Sequence, residues 1–397
     1  MKTLFDYIRN GNEQIRNIIF NIILTIETII VIEDKSDLHI GYESYVFRLT
    51  FALSVVCVLL AVRLFSKKDI LLIAVFSVLS IIVYRLSGRN ELLRFTIFVA
   101  ACKDLDIIRK LKIYFYEMLA GSMLLILLSI TGIYGNLTVN AWDDAGSIRY
   151  VFGFGDANSF HCMFMMMVFL ACYLYADKWK WYIYAILAGL NIVLWLLTGC
   201  ETAAAITMLG IGGAVLIKFT SLFKGVLLHI LGLLTLGFSI LFSVYAAVNS
   251  HYMHHKYSAF FDRLLSGRIV NLYWNTQNHA GSIETWRLFA GRDTMAIYFD
   301  MGWVRLFYWY GIIPAVFVLA AIILLHIECM KRKDSLMAMI LICLSIYTVV
   351  EAHLISVYIG RNYILLIMGL YLIGNTNMKM NDRSASSFSF SKKGDSK

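Results

Sequence analysis

Charge is scarce in this chain. Only 15% of its 397 residues are Asp, Glu, Lys or Arg, against 60% hydrophobic residues, and the mean hydropathy is +0.72. No soluble domain of this length has such a composition. The net charge of +9 has no soluble basic domain to carry it, so a nucleic-acid partner is not expected. No run of short alternating segments suggests a β-barrel. No CxxC occurs, and the seven cysteines (57, 102, 162, 172, 200, 329, 343) are scattered and odd in number. Neither a disulfide framework nor a zinc ribbon is supported by that pattern. Walker A, GxGxxG and HExxH motifs are also missing, so nucleotide and zinc-protease readings lack support. No internal repeat of the kind that marks many secondary transporters is visible. The first apolar run lacks a small-residue cleavage site and reads as an uncleaved span. Proline occurs once, as Pro314 beside Gly311, and a kink is expected there.

What the chain has in abundance is apolar runs of about 17 to 25 residues, each long enough to cross a bilayer core of about 30 Å as a helix. The expected spans are 18–33, 46–62, 70–86, 92–101, 113–134, 158–176, 181–198, 202–217, 225–248, 303–327, 336–355 and 360–374. The fold expected is thus an all-α integral membrane protein of about twelve transmembrane helices with both termini cytoplasmic. Residues 1–380 form a single polytopic membrane domain, with long extracytoplasmic loops at 135–157 and 249–302. The Ser- and Lys-rich tail 381–397 reads as disordered. With this topology 16 Lys and 6 Arg fall inside, and 2 Lys and 11 Arg fall outside. The inside excess follows the positive-inside rule. Arginine outside has no topogenic use, and its planar fork suits phosphate and carboxylate.

Several outer segments gather chemistry-bearing residues. Arg149-Tyr150-Val151-Phe152-Gly153-Phe154-Gly155-Asp156-Ala157-Asn158-Ser159-Phe160-His161 leads from a loop into the sixth span. Its glycines would let backbone approach a ligand closely, Asp156 or Asn158 would cap the helix, and the helix N-terminus favours an anion. The plainer reading is a loop-to-helix junction with interfacial aromatics. Ser266-Gly267-Arg268 presents a hydroxyl, a flexible backbone and a guanidinium, or else a solvated turn. In Asp300 to Gly311, Trp303 and its aromatic neighbours fit either an interfacial belt or sugar-stacking platforms, and Arg305 at membrane depth is a functional candidate by default. Glu351-Ala352-His353, followed by Arg361-Asn362, fits a site or an ion pair that locks two helices. Thr198-Gly199-Cys200-Glu201-Thr202 makes a tight outer turn. His251, His254 and His255 cluster without Cys or acidic partners, so no metal is expected.

These segments resemble the polysaccharide polymerases of Gram-positive capsule and exopolysaccharide clusters, which belong with the O-antigen polymerase and ligase superfamily. The resemblance rests on RYVFGFGDANSFH, LLSGR, TGCET and FDMGWVRLFYWYGI, and covers about positions 145–362. It implies a membrane glycosyltransferase that joins undecaprenyl-diphosphate-linked repeat units at the outer face of the bacterial plasma membrane. A flippase and a chain-length regulator would be its pathway partners. It implies that Arg149, Arg268 and one of Arg305 or Arg361 hold the diphosphate, with Asn158 and Trp303 as further binding residues. Related proteins often carry Ser-Arg-Thr in the turn between the seventh and eighth spans, where this chain has Cys200-Glu201-Thr202, so no arginine role transfers to that turn. Transfer from an activated lipid needs a leaving group stabilised by cations and a base for the acceptor hydroxyl. It needs no cofactor. His161, Asp156, Glu351 and His353 are the candidate bases, with His161 favoured for its closeness to Arg149. An O-antigen-ligase-like transferase would use the same site. A lipid-linked oligosaccharide flippase would instead need charged groups through the bundle interior.

Overall fold

The computed structural model describes residues 2–37, 41–141, 147–220, 225–251, 256–274, 279–295, 297–352, 354 and 361–374. Helices dominate them: α1 Lys2–Asp34, α2 Glu43–Leu60, α3 Lys67–Ser87, α4 Glu91–Ala101, α5 Ile107–Ile130, α6 Ala157–Tyr175, α7 Trp181–Thr198, α8 Glu201–Phe219, α9 Val226–Asn249, α10 Lys256–Leu264, α11 Arg268–Asn271, α12 Gly302–Tyr310, α13 Ile312–Lys331, α14 Ser335–Val350 and α15 Arg361–Met368, which ends in a π turn to Ile373. Among the described residues, nine helices are long and apolar enough to cross a membrane, and Ser335–Val350 and Tyr363–Ile373 are shorter apolar helices. This is the architecture of a multi-pass all-α membrane protein.

Local chemistry sets the helix ends. Ser66 and Asp69 close a reciprocal capping box on α3, with N–O distances of 3.2 and 2.9 Å. Asp106, Asp156 and Asp334 cap α5, α6 and α14 by accepting from the backbone N–H three residues on. Helices α6 and α14 are buried along almost their whole length, whereas α2, α3 and α7 bury only a few of their residues. A helix that is apolar all round needs an apolar neighbour on every side. For α6 and α14 that neighbour is protein, and for the outer helices it is the bilayer.

Two expected spans take a different form. The tenth, 303–327, is two helices broken at Gly311 (φ +95°, ψ 167°), not one helix kinked at Pro314. Pro314 sits in the first turn of α13, where its missing N–H costs nothing. The break is filled by residues 287–290. Ile312 and Ile313 donate to the carbonyls of Arg287 and Leu288 at 2.9 and 3.1 Å, and Ala290 donates to Tyr310 at 3.2 Å. The fourth, α4, has 11 residues, about 16 Å at helical rise, and the chain completes its return along α3 just beyond it, where Lys103 pairs with Asp69 at 3.0 Å. The loop 249–302 is partly helical, with α10 and α11 covering an apolar cluster built around Leu272, Phe299, Trp303 and Trp309. The tail 381–397 lies outside the described residues.

Candidate functional site

The loop that enters α6 is pinned before it presents anything. Strands β1 (Thr138–Asn140) and β2 (Ile148–Tyr150) pair antiparallel, with Val139 opposite Arg149. Phe152 and Gly153 follow with φ of 49° and 85°. A Cβ on Gly153 would stand 3.0 Å from the Leu125 carbonyl oxygen. This glycine therefore serves close packing on α5, not the approach of a ligand. Gly155 donates to the Lys35 carbonyl at 2.9 Å, which ties the turn to the α1 end. Asp156 uses both carboxylate oxygens to hold Ser159, one on its N–H at 2.8 Å and one on its hydroxyl at 2.7 Å. It is a helix cap. Asn158 is exposed in the first turn of α6.

Arg149 extends from β2 over the turn between α7 and α8. A Cβ on Gly199 (φ +67°) would lie 3.1 Å from the Arg149 Nε, so the absence of a side chain there makes room for the guanidinium. Next to it the Cys200 thiol is pushed up to about 11 by burial, with Thr198 and the Arg149 charge opposing. Asp156 and Glu351 also act on this thiol, which places the loop into α6, the α7–α8 turn and the end of α14 in one electrostatic neighbourhood.

Glu351 is the centre of that neighbourhood. Helix α14 stops at Val350, and Glu351 continues in extended backbone (φ −136°, ψ 147°) beyond it. Its Oε1 accepts from Arg268 Nη2 at 2.8 Å, and Arg268 Nε faces Asp300 Oδ2 at 3.6 Å. Arg268 is delivered by a sharp turn in which Ser266 and Gly267 both have left-handed backbone, φ 53° and 81°. The turn is held by Asp262, which accepts from Gly267 N–H on its backbone and from Val270 N–H on its side chain, both at 2.9 Å. Burial pushes the Glu351 carboxyl up to about 7, helped by the Asp300 charge and opposed by Arg268 and Arg305. A carboxyl poised near neutrality beside a guanidinium is what proton transfer next to a developing anion requires.

The other expected residues are placed differently. His161 is fully enclosed, with Nε2 against Asn191 Oδ1 at 3.1 Å and Nδ1 against Thr198 Oγ1 at 3.0 Å. Asn191 Nδ2 donates to the Ala204 carbonyl at 2.9 Å, which fixes Oδ1 as the acceptor from Nε2, while Nδ1 faces a Thr198 hydroxyl that donates to the Leu194 carbonyl at 2.8 Å. Both ring nitrogens are therefore committed to joining α6 and α7, and no substrate hydroxyl can reach them in this arrangement. Trp303 is fully buried and donates to the Ser345 carbonyl at 3.0 Å, so it is core rather than a stacking platform. Arg305 is 2% exposed, donates to the Phe299 carbonyl and stacks on Trp309 at 4.8 Å. His353, His254 and His255 lie outside the described residues, as do the side chains of Arg361 and Asn362.

The eleven outer arginines expected from the sequence divide by partner. Arg94 is spent on the buried Glu27 at 3.0 Å, with Thr50 donating to the same carboxylate at 2.6 Å, which explains an acidic residue in the first span. Arg287 pairs with Asp293 at 3.1 Å on the surface. Arg89, not singled out among the motifs, is 5% exposed, donates to the Thr294 carbonyl at 2.8 Å and lies 3.7 Å from the Trp309 ring centroid. The signal for it was present. Ser-Gly-Arg occurs twice, at 87–89 and 266–268, with the glycine at φ +81° in both. Comparison with protein-family models, with curated proteins and with solved structures finds no match.

Proposed function

We propose that this protein polymerises undecaprenyl-diphosphate-linked oligosaccharide repeat units at the outer face of a bacterial plasma membrane, building capsule or exopolysaccharide. The chain would cross the membrane twelve times with both termini in the cytoplasm. The observation that carries the reading is the Glu351–Arg268 pair at 2.8 Å, set at the end of a buried helix with Arg149 in the same neighbourhood.

Each group has a task in glycosyl transfer. The acceptor hydroxyl gives its proton to the Glu351 carboxylate as its oxygen bonds to the anomeric carbon of the donor. The bond from that carbon to the diphosphate oxygen breaks, and its electron pair leaves with the lipid diphosphate. Arg268 and Arg149 face the charge that develops there, and preorganised guanidiniums are worth most in a site shielded from water. Arg268 is held by Glu351 in the free protein, so substrate phosphate would compete for the same fork. The base role falls to Glu351 rather than His161, because His161 has no free nitrogen, and rather than Asp156, because both of its oxygens are spent on Ser159.

The test uses the full chain in nanodiscs, supplied with lipid-diphosphate-linked repeat units without nucleotide. A ladder of one-repeat steps on a glycan gel is expected. Unchanged substrate would overturn the polymerase reading and direct the next assays to a ligase acceptor or to transbilayer movement. Arg149→Lys keeps the charge and loses the fork. It should abolish the ladder at normal protein abundance, and full activity in both Arg149→Lys and Arg149→Ala would remove Arg149 from the site.

A further inference from the structure

The second Ser-Gly-Arg turn has a counterpart across the loop face. Arg89 and Arg305 both stack on Trp309, with guanidinium carbons 3.7 and 4.8 Å from the ring centroid. Two buried cations within one aromatic contact repel each other, and Arg305 accordingly opposes the charge on Arg89. Among the described residues, the one carboxylate paired with either is Glu91, 3.6 Å from Arg89 Nη1. Backbone carbonyls do the rest: Thr294 and Met295 accept from Arg89, at 2.8 and 3.3 Å, and Phe299 accepts from Arg305. Among the described residues, Arg89 Nε and Arg305 Nε and Nη1 are buried without any hydrogen-bond acceptor. A buried guanidinium with unmet N–H groups is costly, and neutral carbonyls are weaker acceptors for it than a phosphate is.

An apolar cleft begins beside this pair. It runs between α3, α4, α13 and α15, from Leu92, Leu306 and Tyr310 at one end to Leu72, Leu325 and Ile373 at the other. Leu306 follows Arg305 directly, and Tyr310 follows Trp309. Along α15 and its π turn the cleft extends from Ile364 to Ile373, about 15 Å at helical rise. Among the described residues, no charged side chain lines it. An apolar trough in the membrane-crossing part of the molecule, ending at two under-partnered cations, is complementary to one kind of molecule: a long single hydrocarbon chain with an anionic head.

We propose that Arg89 and Arg305 bind the phosphate of a polyprenyl phosphate whose chain lies in the α3–α4–α13–α15 cleft, so that the lipid carrier is recognised independently of the sugar it bears. The phosphate would displace the carbonyls of Thr294, Met295 and Phe299, which cap the pair in the free protein. The choice of a polyprenyl chain rests on the functional reading above. Arg305 also acts on the Glu351 carboxyl, so the head would lie near the Glu351–Arg268 pair, but neither Glu351 nor Arg268 lines the cleft and the ligand need not react.

The experiment is native mass spectrometry and thermal unfolding of the full chain in detergent, titrated with undecaprenyl phosphate carrying no glycan. Undecaprenol and inorganic phosphate serve as the tail-only and head-only probes. Undecaprenyl phosphate should bind and raise the unfolding temperature, while undecaprenol binds about tenfold or more weaker and inorganic phosphate has no effect at equal concentration. Arg89→Lys and Arg305→Lys keep the charge, lose the fork, and should each weaken binding about tenfold. Ala321→Phe, which fills the cleft from α13, should weaken the lipid similarly with the unfolding temperature of the free protein retained. Equal binding of undecaprenol and its phosphate, or unchanged binding in the folded lysine and phenylalanine variants, would overturn the proposal. Glu351→Gln separates the two readings, since it should lose polymer and keep this binding. Binding of the carrier without any ladder would leave this site standing and remove the polymerase. A ladder with binding indifferent to Arg89 and Arg305 would do the reverse.

Discussion

Glu351 gives the sharpest behaviour at the scale of a single residue. Its carboxyl is held up at about 7 by burial, above the ordinary carboxylate range. Below that value it is mostly protonated and cannot accept a proton, and above it the carboxylate is the main form. Polymerisation rate at subsaturating substrate should therefore rise with pH, about tenfold per unit below 7, and level off above it. Glu351→Gln should lower the rate by about 10² to 10⁴ at pH 7.5 and remove that limb. A glutamine variant with the parental rate and pH profile would take the base role away from this residue. Gly199 tests the neighbouring arginine from its other side. Gly199→Ala places a methyl in left-handed backbone, at a cost of about 1 kcal/mol, and 3.1 Å from the Arg149 Nε. Its loss of ladder should match that of Arg149→Lys, with protein abundance near normal.

At the scale of elements, the break between α12 and α13 decides how the site is framed. Helix α12 carries Arg305 and Trp309, is buried at all nine positions, and ends where residues 287–290 cross it. A Cβ on Gly311 would stand 2.5 Å from Phe289 Cα, so Gly311→Ala should push that segment away. The cost should be about 1–3 kcal/mol, read as reduced yield and a lower unfolding temperature in detergent. Pro314→Ala should stay within about 1 kcal/mol, because the first turn of α13 needs no N–H there. The opposite ranking would mean that proline, not glycine, makes the break. The same helices show what periodicity and length can and cannot reveal. Each of the twelve expected apolar runs has a helical counterpart, because a run of apolar residues has few other stable forms in lipid. The split at Gly311 was hidden because the φ of a glycine depends on what packs against it, here a segment twenty residues upstream. The standing of His161 was hidden for a like reason. Its partners Asn191 and Thr198 lie on α7 within an apolar run, and nothing in their spacing from His161 announces contact. Glu351 and Arg268 were both legible as candidates, while their pairing across 83 residues was not.

At the scale of the whole molecule, everything proposed for the site depends on which way the chain is threaded. The contacts that unite the loop into α6, the α10–α11 segment, α12 and the end of α14 place these groups at one end of the bundle. Twelve crossings with cytoplasmic termini would put that end outside the cell, the face on which the proposed polymerisation takes place. The chain is well suited to a direct test, because all seven native cysteines are buried and a single introduced thiol should dominate labelling. Thr138→Cys lies on the exposed edge of β1, at the same end as Arg149, and Asp177→Cys lies in the exposed turn between α6 and α7, at the opposite end of α6. In intact cells a membrane-impermeant maleimide should label position 138 and leave 177 untouched until the membrane is permeabilised. Labelling of 177 alone would put Glu351, Arg268 and Arg149 in the cytoplasm. There the outer arginines would become a positive-inside signal, the excess of lysine at the other end would have no topogenic explanation, and an outer-face polymerase would be untenable. Labelling of 138 alone would fix the side on which the two Ser-Gly-Arg turns act. It would also leave the helix N-terminus of α6, capped by Asp156, facing the compartment in which an anionic substrate would meet Arg149.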